Sequence, residues 1–462
     1  MLRRCVLHTT IAAVMAALPI AATRAASARV AQAVSNPHDY TYSDPNIIDT
    51  SCRSKPDPHD CSADVGAREH AAADALGDIN LNLRRAAARD VDESKPHRSI
   101  RRGFNTRQLV DFGAEQSEAI EKIVNTDIKV HRLSVKWWDV QCAGSDQWRF
   151  QRYYDLVSAL HDKGVNVILT PVGSPNWART KSRKSPVVDG DDCQLTKNPD
   201  GSDRALAPFA HGDNNRAWSS FIQQMVTNFK PLGVIGYEIW NEQNSRNFWD
   251  ATGHAPPTAQ PPSPGAWALL YCRAAGQIDA LDQGKPVGVG GLAVYESIEH
   301  DMQGRITNVR SSAFLNGAYK ARRSLCRNKP FDFVGYHPYA YRPVINHNFT
   351  DFAHAPAARE LTAIRTVMRS RGQAAINVWN TEWGFPSDFG GITKKRQAAL
   401  IKREHSYLAN VKDRGRLFMQ FSIMFNAVDG DPNATNVFEH VGVLTKTLDP
   451  KQPTYNTWTA LP

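Results

Sequence analysis

The sequence has no apolar run of the roughly 20 residues that a membrane-spanning helix requires, and the run at 11–22 is too short. It also lacks a glycine-rich phosphate loop, a nucleophile elbow and a zinc-binding helix motif, which argues against a dinucleotide-binding sheet and against a peptidase. The net charge of +9 is modest for 462 residues and is not clustered. We therefore expect neither a transmembrane segment nor a nucleic-acid partner.

Cysteine is scarce, and no two of the seven cysteines have the Cys-x-x-Cys spacing of a zinc site, so we expect no metal. Residues 1–28 run from a basic start through the apolar run to Ala26-Ser27-Ala28, the pattern of a cleavable export signal. Its removal would take Cys5 and leave an even number of cysteines, which favours disulfides in an exported chain. The candidates are Cys52, Cys61, Cys142, Cys193, Cys272 and Cys326.

The connectivity of these cysteines stays open, since six allow many pairings. Cys52 and Cys61 would close a small loop within 29–97, a polar segment that we interpret as an N-terminal appendage on a catalytic domain at 98–462. Cys142 and Cys193 would brace neighbouring loops, and Cys272 and Cys326 lie on consecutive predicted helices. We expect a periplasmic or secreted monomer.

From about residue 100, β-rich runs alternate with helical patterns. The predicted strands are 102–105, 128–135, 165–171, 234–241, 287–291, 331–337, 376–381 and 417–425. The predicted helices are 116–125, 153–163, 216–230, 266–281, 312–327, 357–371 and 395–411. Strands alternating with helices pair in parallel through right-handed crossovers, and eight repeats predict a closed (β/α)₈ TIM barrel. Long connections at 173–211 and 243–264 predict enlarged loops at its carboxyl-terminal face.

Two predicted strands, the fourth and the seventh, deliver a glutamate where the chain leaves the sheet. The first runs from Tyr237 to Glu242, and the second from Val378 to Glu382. Barrel enzymes carry their chemistry at the carboxyl ends of their strands. Paired carboxylates framed by tryptophans suit glycosidic-bond cleavage, because one acid protonates the leaving oxygen while the other meets the developing oxocarbenium ion.

These strand ends resemble those of the clan A retaining glycoside hydrolases, over residues 100–460. Three segments carry the resemblance: Trp240-Asn241-Glu242, Glu382-Trp383-Gly384 and Tyr336-His337-Pro338-Tyr339. The run 238–242 and the strand of Arg132 are most similar to glycoside hydrolase family thirty-nine and related bacterial exopolysaccharide hydrolases. The resemblance implies that Glu242 is the general acid/base, with a raised pKa, and that Glu382 is the nucleophile, with its pKa held down.

The resemblance also implies roles for the neighbours of the two glutamates. Arg132 would hold down the pKa of Glu382, although an interior ion pair with Glu238 is an alternative and both can hold. Asn241 would bond the sugar 2-hydroxyl, while His337 and Tyr339 would orient the nucleophile and bond the sugar. Trp177 and Trp383 are our candidates for rings that stack on sugar faces. Gln243 and Phe425 depart from the family pattern, which commonly has proline and tryptophan there.

The sequence therefore predicts an exported retaining glycoside hydrolase that acts by double displacement on a polysaccharide or oligosaccharide, without metal or organic cofactor. We expect the two carboxyl groups to lie about 5–5.5 Å apart. Long loops favour internal cleavage of a polymer such as an exopolysaccharide. Two alternatives remain: a catalytically inactive carbohydrate-binding barrel, and an exo-acting glycosidase such as a xylosidase.

Overall fold

The computed structural model describes residues 100–106, 109–141, 147–178, 213–249, 262–295, 297, 299–300, 306–340, 352 and 355–462. The predicted export signal, the predicted appendage at 29–97, Cys52, Cys61, Cys142 and Cys193 lie outside these residues. Within them, no helix has the length and apolarity needed to cross a membrane.

Eight parallel strands form a closed barrel in which each strand pairs with its neighbours in the chain and the last pairs with the first. The strands are β1 (Arg101–Phe104), β2 (Val130–Lys136), β3 (Asn166–Val172), β4 (Val234–Asn241), β5 (Val287–Ala293), β6 (Phe333–His337), β7 (Asn377–Asn380) and β8 (Met419–Met424). The predicted TIM barrel is confirmed. Two short hairpins add to it, Glu299–His300 with Ile306–Asn308 and Lys412–Asp413 with Arg416–Leu417.

A helix follows each strand. The main helices are α1 (Gln116–Val124), α2 (Gln151–Asp162), α3 (Asp213–Phe229), α4 (Pro264–Leu281), α5 (Ser311–Leu325), α6 (Pro356–Ser370), α7 (Lys394–Asn410) and α8 (Thr454–Thr459), and a single helical turn, Trp137–Val140, directly follows β2. The first seven lie within three residues of their predicted bounds, because their ends are marked locally. Ser263 caps α4 beside Pro264, and Gly164 follows α2 with a φ of 74°, a conformation that favours glycine.

Cys272 of α4 forms a disulfide with Cys326, which directly follows α5. The sequence left the pairing of these two candidate cysteines open, and the structure joins them. The bond joins positions 54 apart in the chain. Closing a loop of that length stabilises a fold by about 3–4 kcal/mol, largely by restricting the unfolded chain.

The interior of the barrel has an apolar layer beneath a polar one. The lower layer consists of Val130, Ile168, Phe333, Trp379, Phe421 and Ile423. Since side chains alternate along a strand, the residue two positions further on faces the same interior. Arg132 on β2, Thr170 on β3 and Thr381, directly after β7, thus lie one layer above Val130, Ile168 and Trp379, and all three are fully buried.

Candidate active site

The two predicted catalytic glutamates lie at the same mouth of the barrel. A carboxylate oxygen of Glu242 lies within 4.8 Å of one of Glu382. Their side chains retain 14% and 11% of their exposed area, so both are reachable from the mouth although the surroundings are packed. This convergence is the arrangement that two acids acting on one bond require.

The backbone bends sharply where β4 delivers Glu242. Trp240 has a φ of 74° and Glu242 a φ of 45°, a region in which residues other than glycine are strained by about 1–3 kcal/mol each. The Glu242 amide donates to the carbonyl of Gly291 on β5 at 2.9 Å, which holds the bend against the neighbouring strand. This bend directs Asn241 and Glu242 toward the mouth of the barrel.

Three donors surround the carboxylate of Glu382. Its Oε1 accepts from Arg132 Nη1 at 2.6 Å and from Asn105 Nδ2 at 2.8 Å, and its Oε2 accepts from the Tyr339 hydroxyl at 3.0 Å. Burial nevertheless raises the pKa of Glu382, while the Arg132 charge and the Tyr339 hydrogen bond act in the opposite direction. The predicted net lowering of this pKa was wrong, because burial outweighs the cation. The three donors still favour ionisation of Glu382 before Glu242.

Glu242 has a different environment. Its Oε1 lies 2.9 Å from Nδ1 of His337. Burial and then the charge of Glu382 raise the pKa of Glu242 to about 8, and Arg132 opposes the rise. A carboxyl group that is protonated at neutral pH is what a general acid must be.

Arg132 joins the two strands that carry the glutamates. Its guanidinium is fully buried and pairs through Nε with Glu238, through Nη1 with Glu382 and through Nη2 with Asn241 Oδ1 at 2.8 Å. Both predicted partners of Arg132, the nucleophile candidate and Glu238, are therefore present. Because the amide oxygen of Asn241 accepts from Arg132, its NH₂ group is the donor that Asn241 can offer to a sugar hydroxyl.

His337 ends β6 and lies between the two glutamates. Its Nδ1 is 2.9 Å from Glu242 Oε1 and 3.7 Å from Glu382 Oε2, and its Nε2 is 3.2 Å from the Thr381 hydroxyl. Burial, with a contribution from Arg132, lowers the pKa of His337 well below its usual value, so the ring is neutral. The structure thus brings His337 and Tyr339 to the two carboxyl groups.

Two glycines make room for this cluster. A Cβ atom on Gly291 of β5 would collide with the ring of His337, and one on Gly335 of β6 would collide with Glu238 Oε1 and lie 2.7 Å from the Val289 carbonyl oxygen. A side chain at either position would displace a polar group of the site. Neither glycine was identified from the sequence, since the requirement arises between strands.

Gly335→Ala should destabilise the protein by about 1–3 kcal/mol, because a packed interior does not accept the extra methyl group without shifts. Gly276→Ala on α4 is the matched control. A Cβ there has no heavy atom within 4 Å, so alanine should stabilise the helix by about 0.5–1 kcal/mol. Urea unfolding of both variants measures the two changes; equal midpoints would contradict the packing argument.

The two tryptophans chosen as sugar platforms differ in position. Trp177 lies in a short 3₁₀ helix, Asn176–Ala178, after β3; it is half-buried, and its indole nitrogen donates to the Gln141 carbonyl at 2.9 Å. Trp383 has no exposed area and packs against Phe385 and Trp458. The assignment of Trp383 to substrate binding is therefore corrected, because the residue after Glu382 faces the surrounding helices.

Three further residues near the glutamates were missed. Asn105, which binds Glu382, is an amide directly after β1, and its position at a strand end was the available signal. Thr381 sits within the Glu382 motif and faces the interior. Phe438 packs against Tyr339 at 5.4 Å and against Phe425 at 5.8 Å, beside the strand end where the family pattern has tryptophan. No sequence signal marked Phe438.

Glu242, His337 and Glu382 also have the spacing of a cation site, with one donor atom each within 4.8 Å of the others. These atoms already bond to one another or to Arg132 and Tyr339. A cation would have to break those bonds beside the buried Arg132 charge, which repels it. We therefore interpret the cluster as a hydrogen-bonded site and not as a metal centre.

No protein-family model and no curated protein matches the sequence. Solved structures with a similar fold include a family 39 glycoside hydrolase from Bacteroides cellulosilyticus WH2, 16% identical with a TM-score of 0.52 over 80% of this chain and 64% of that one. A GH5_18 protein from Streptomyces cattleya in complex with GlcNAc is 14% identical, with a TM-score of 0.51 over 79% and 80%. A monomeric β-xylosidase from Caulobacter crescentus CB15 is 14% identical, with a TM-score of 0.52 over 78% and 67%.

At these identities the similarity establishes the barrel fold alone. The chain spans slightly less than two thirds of the length of the family 39 structure.

Proposed function

We propose that the protein is a retaining glycoside hydrolase in which Glu242 is the general acid/base and Glu382 the nucleophile. The observation that carries the proposal is the pair of carboxyl groups within 4.8 Å at one mouth of the barrel, in opposite environments. Glu382 accepts three hydrogen bonds, whereas Glu242 faces a neutral histidine and has its pKa raised to about 8. Two carboxyl groups with separate environments can divide the roles of acid and nucleophile.

In the first step, Glu382 attacks the anomeric carbon and forms a glycosyl-enzyme ester. At the same time, Glu242 gives its proton to the leaving oxygen. In the second step, Glu242 takes a proton from water, which displaces Glu382 and releases the sugar. The short distance between the carboxyl groups supports retention, because inversion needs about 6.5–9.5 Å to admit a water. Release of a product with the anomeric configuration of the substrate, followed by ¹H NMR, tests this mechanism.

The surrounding donors suit the proposed steps. Arg132, Asn105 and Tyr339 hold the carboxylate of Glu382 in one orientation, which limits the reorganisation needed for attack. We expect Asn241, whose amide oxygen accepts from Arg132, to bond a sugar hydroxyl beside the reacting carbon. Trp177 and the cluster of Phe425, Phe438 and Tyr339 offer apolar surface near the mouth for sugar rings.

The pH dependence of kcat/KM should follow the two carboxyl groups. Glu242 must hold its proton, so activity should fall as the pH rises through about 8. Glu382 must be ionised, so activity should also fall at acid pH, giving a bell-shaped profile. Initial rates on an aryl glycoside between pH 4 and 10 measure both limbs. An activity that stays constant up to pH 10 would contradict the assignment of Glu242 as the acid.

We propose a carbohydrate substrate whose sugar and linkage are set by the loops around the mouth. The long connections after β3 and β4 favour a polymer such as an exopolysaccharide. The alternative is an exo-acting glycosidase such as a xylosidase, and a β-xylosidase is among the structures with a similar fold. A panel of bacterial exopolysaccharides and aryl glycosides, followed by product size, separates internal from terminal cleavage.

A catalytically inactive carbohydrate-binding barrel is the competing function. An enzyme raises the number of reducing ends in a polysaccharide, whereas a protein that only binds the polysaccharide migrates more slowly in a gel that contains it.

The pattern of residues 1–28 supports the further proposal that the protein is exported to the periplasm or the medium. Fractionation of cells that express the full chain tests that proposal.

A further inference from the structure

We infer that Glu238, Thr381 and His337 form a hydrogen-bond relay that fixes the tautomer of His337 and thereby keeps the proton on Glu242 before substrate binds. The inference rests on the proposed function and extends it to three positioning residues that do not themselves need to touch the sugar. All three are fully buried, on β4, next to β7 and on β6 respectively.

The relay begins at Glu238. Its Oε2 pairs with Arg132 Nε and accepts from the Thr170 hydroxyl at 3.2 Å, while its Oε1 accepts from the Thr381 hydroxyl at 2.7 Å. Both carboxylate oxygens of Glu238 are therefore acceptors, Oε2 for Arg132 and Thr170 and Oε1 for Thr381. The single hydroxyl proton of Thr381 is therefore committed to Glu238.

The hydrogen bond from Thr381 to Glu238 determines which ring nitrogen of His337 carries the hydrogen. The Thr381 oxygen, having given its proton to Glu238, presents a lone pair to His337 Nε2 at 3.2 Å. Nε2 must then carry the hydrogen. Because a neutral imidazole has one N–H, Nδ1 is left as an acceptor.

The acceptor Nδ1 faces Glu242 Oε1 at 2.9 Å. Two acceptors at that distance repel each other, so a favourable contact requires that Glu242 donate. The relay thus stabilises the protonated form of Glu242 and disfavours its carboxylate. The other ionisable groups that act on Glu242 from the described strands are Glu382, which also favours the proton, and Arg132, which opposes it.

Thr381→Val tests the relay, because valine keeps the shape and removes the hydroxyl. Without its acceptor at Nε2, the ring can place its hydrogen on Nδ1 and donate to the Glu242 carboxylate. The alkaline limb of kcat/KM should then move down by about one pH unit, the size expected from one hydrogen bond to the charged form, while the acid limb stays in place. Thr381→Ser keeps the hydroxyl and should restore the parent profile.

Thr170→Val is the matched control. It removes a hydroxyl that bonds the same Glu238 carboxylate but does not contact His337, so the alkaline limb should stay where it is. Equal shifts in the Thr170→Val and Thr381→Val variants would overturn the relay and indicate a general effect on Glu238. An unchanged alkaline limb in Thr381→Val would overturn it as well.

A second measurement does not depend on turnover. In protein labelled with ¹⁵N-histidine, the signals of His337, identified by their loss in His337→Asn, report the tautomer directly. We expect hydrogen on Nε2 in the parent and on Nδ1 in Thr381→Val. Hydrogen on Nδ1 in the parent would overturn the relay even if the enzyme is active. Failure to cleave any glycoside, with hydrogen on Nε2, would instead overturn the proposed function alone.

Discussion

Replacing Glu382 by alanine should lower kcat on the order of 10⁴-fold or more, as loss of the covalent nucleophile does in other enzymes. The physical reason is that, among the residues that the structure describes, no other carboxylate near Glu242 is oriented for attack. Glu238, the other acid of the polar layer, is fully buried and held by Arg132, Thr170 and Thr381. Turnover of an aryl glycoside measures the loss.

Added azide identifies which role was removed. In Glu382→Ala, the small anion can occupy the space of the missing carboxylate, attack the sugar directly and release an azido sugar of inverted configuration. Glu242→Ala is the matched control on the other side of the site. With an activated leaving group it should still form the glycosyl-enzyme, and azide should then release a product of retained configuration. The opposite pairing of products would reverse the assignments, and full activity of Glu382→Ala would refute the proposed mechanism.

The barrel was predictable because its signals are local. Apolar runs alternate with amphipathic segments that end at markers such as Gly164, so the strand and first seven helix bounds differ from the expected ones by a few residues. Helix α8 was missed because Thr454–Thr459 contains weak helix formers. Trp458 is buried against Phe104 and Trp383, which lie far away in the chain, and this packing stabilises the short helix.

The site was predictable as a set of residues but not as a network. A glutamate, an amide or a histidine at a strand end can be read from the sequence, and Glu242, Glu382, Arg132 and His337 do lie together. The hydrogen bonds of Thr381 to Glu238 and His337 depend on the register between strands, and the sequence of one strand does not predict that register. The net pKa direction of Glu382 likewise depends on burial by the whole barrel.

Arg132→Met should destabilise the protein by about 3–5 kcal/mol at neutral pH, the cost of leaving buried charges without their counterion. Arg132 is fully buried and serves both Glu238 and Glu382, so its removal leaves two carboxyl groups unpaired. Activity should fall as well, since Glu382 loses its charged donor and Asn241 loses the partner that orients its amide. Urea unfolding and initial rates measure the two effects. Lys163→Met, which removes an exposed ion pair with Glu121, is the control and should cost less than about 1 kcal/mol.

The loss of stability in Arg132→Met should depend on pH, because Glu382 is one of the groups that lose their counterion. Burial already raises the pKa of Glu382 in the folded protein, and without the cation this pKa should rise further. A group whose pKa is higher in the folded state favours folding below its unfolded pKa and opposes it as the pH rises. The deficit of Arg132→Met should therefore be smallest near pH 4.5, the ordinary glutamate value, and grow toward neutral pH. Adding Glu238→Gln to Arg132→Met removes one of the two carboxyl groups that lost their counterion, so the double variant should recover part of the stability at neutral pH. A deficit that does not change with pH would mean that Arg132 supports the barrel by packing and not by charge.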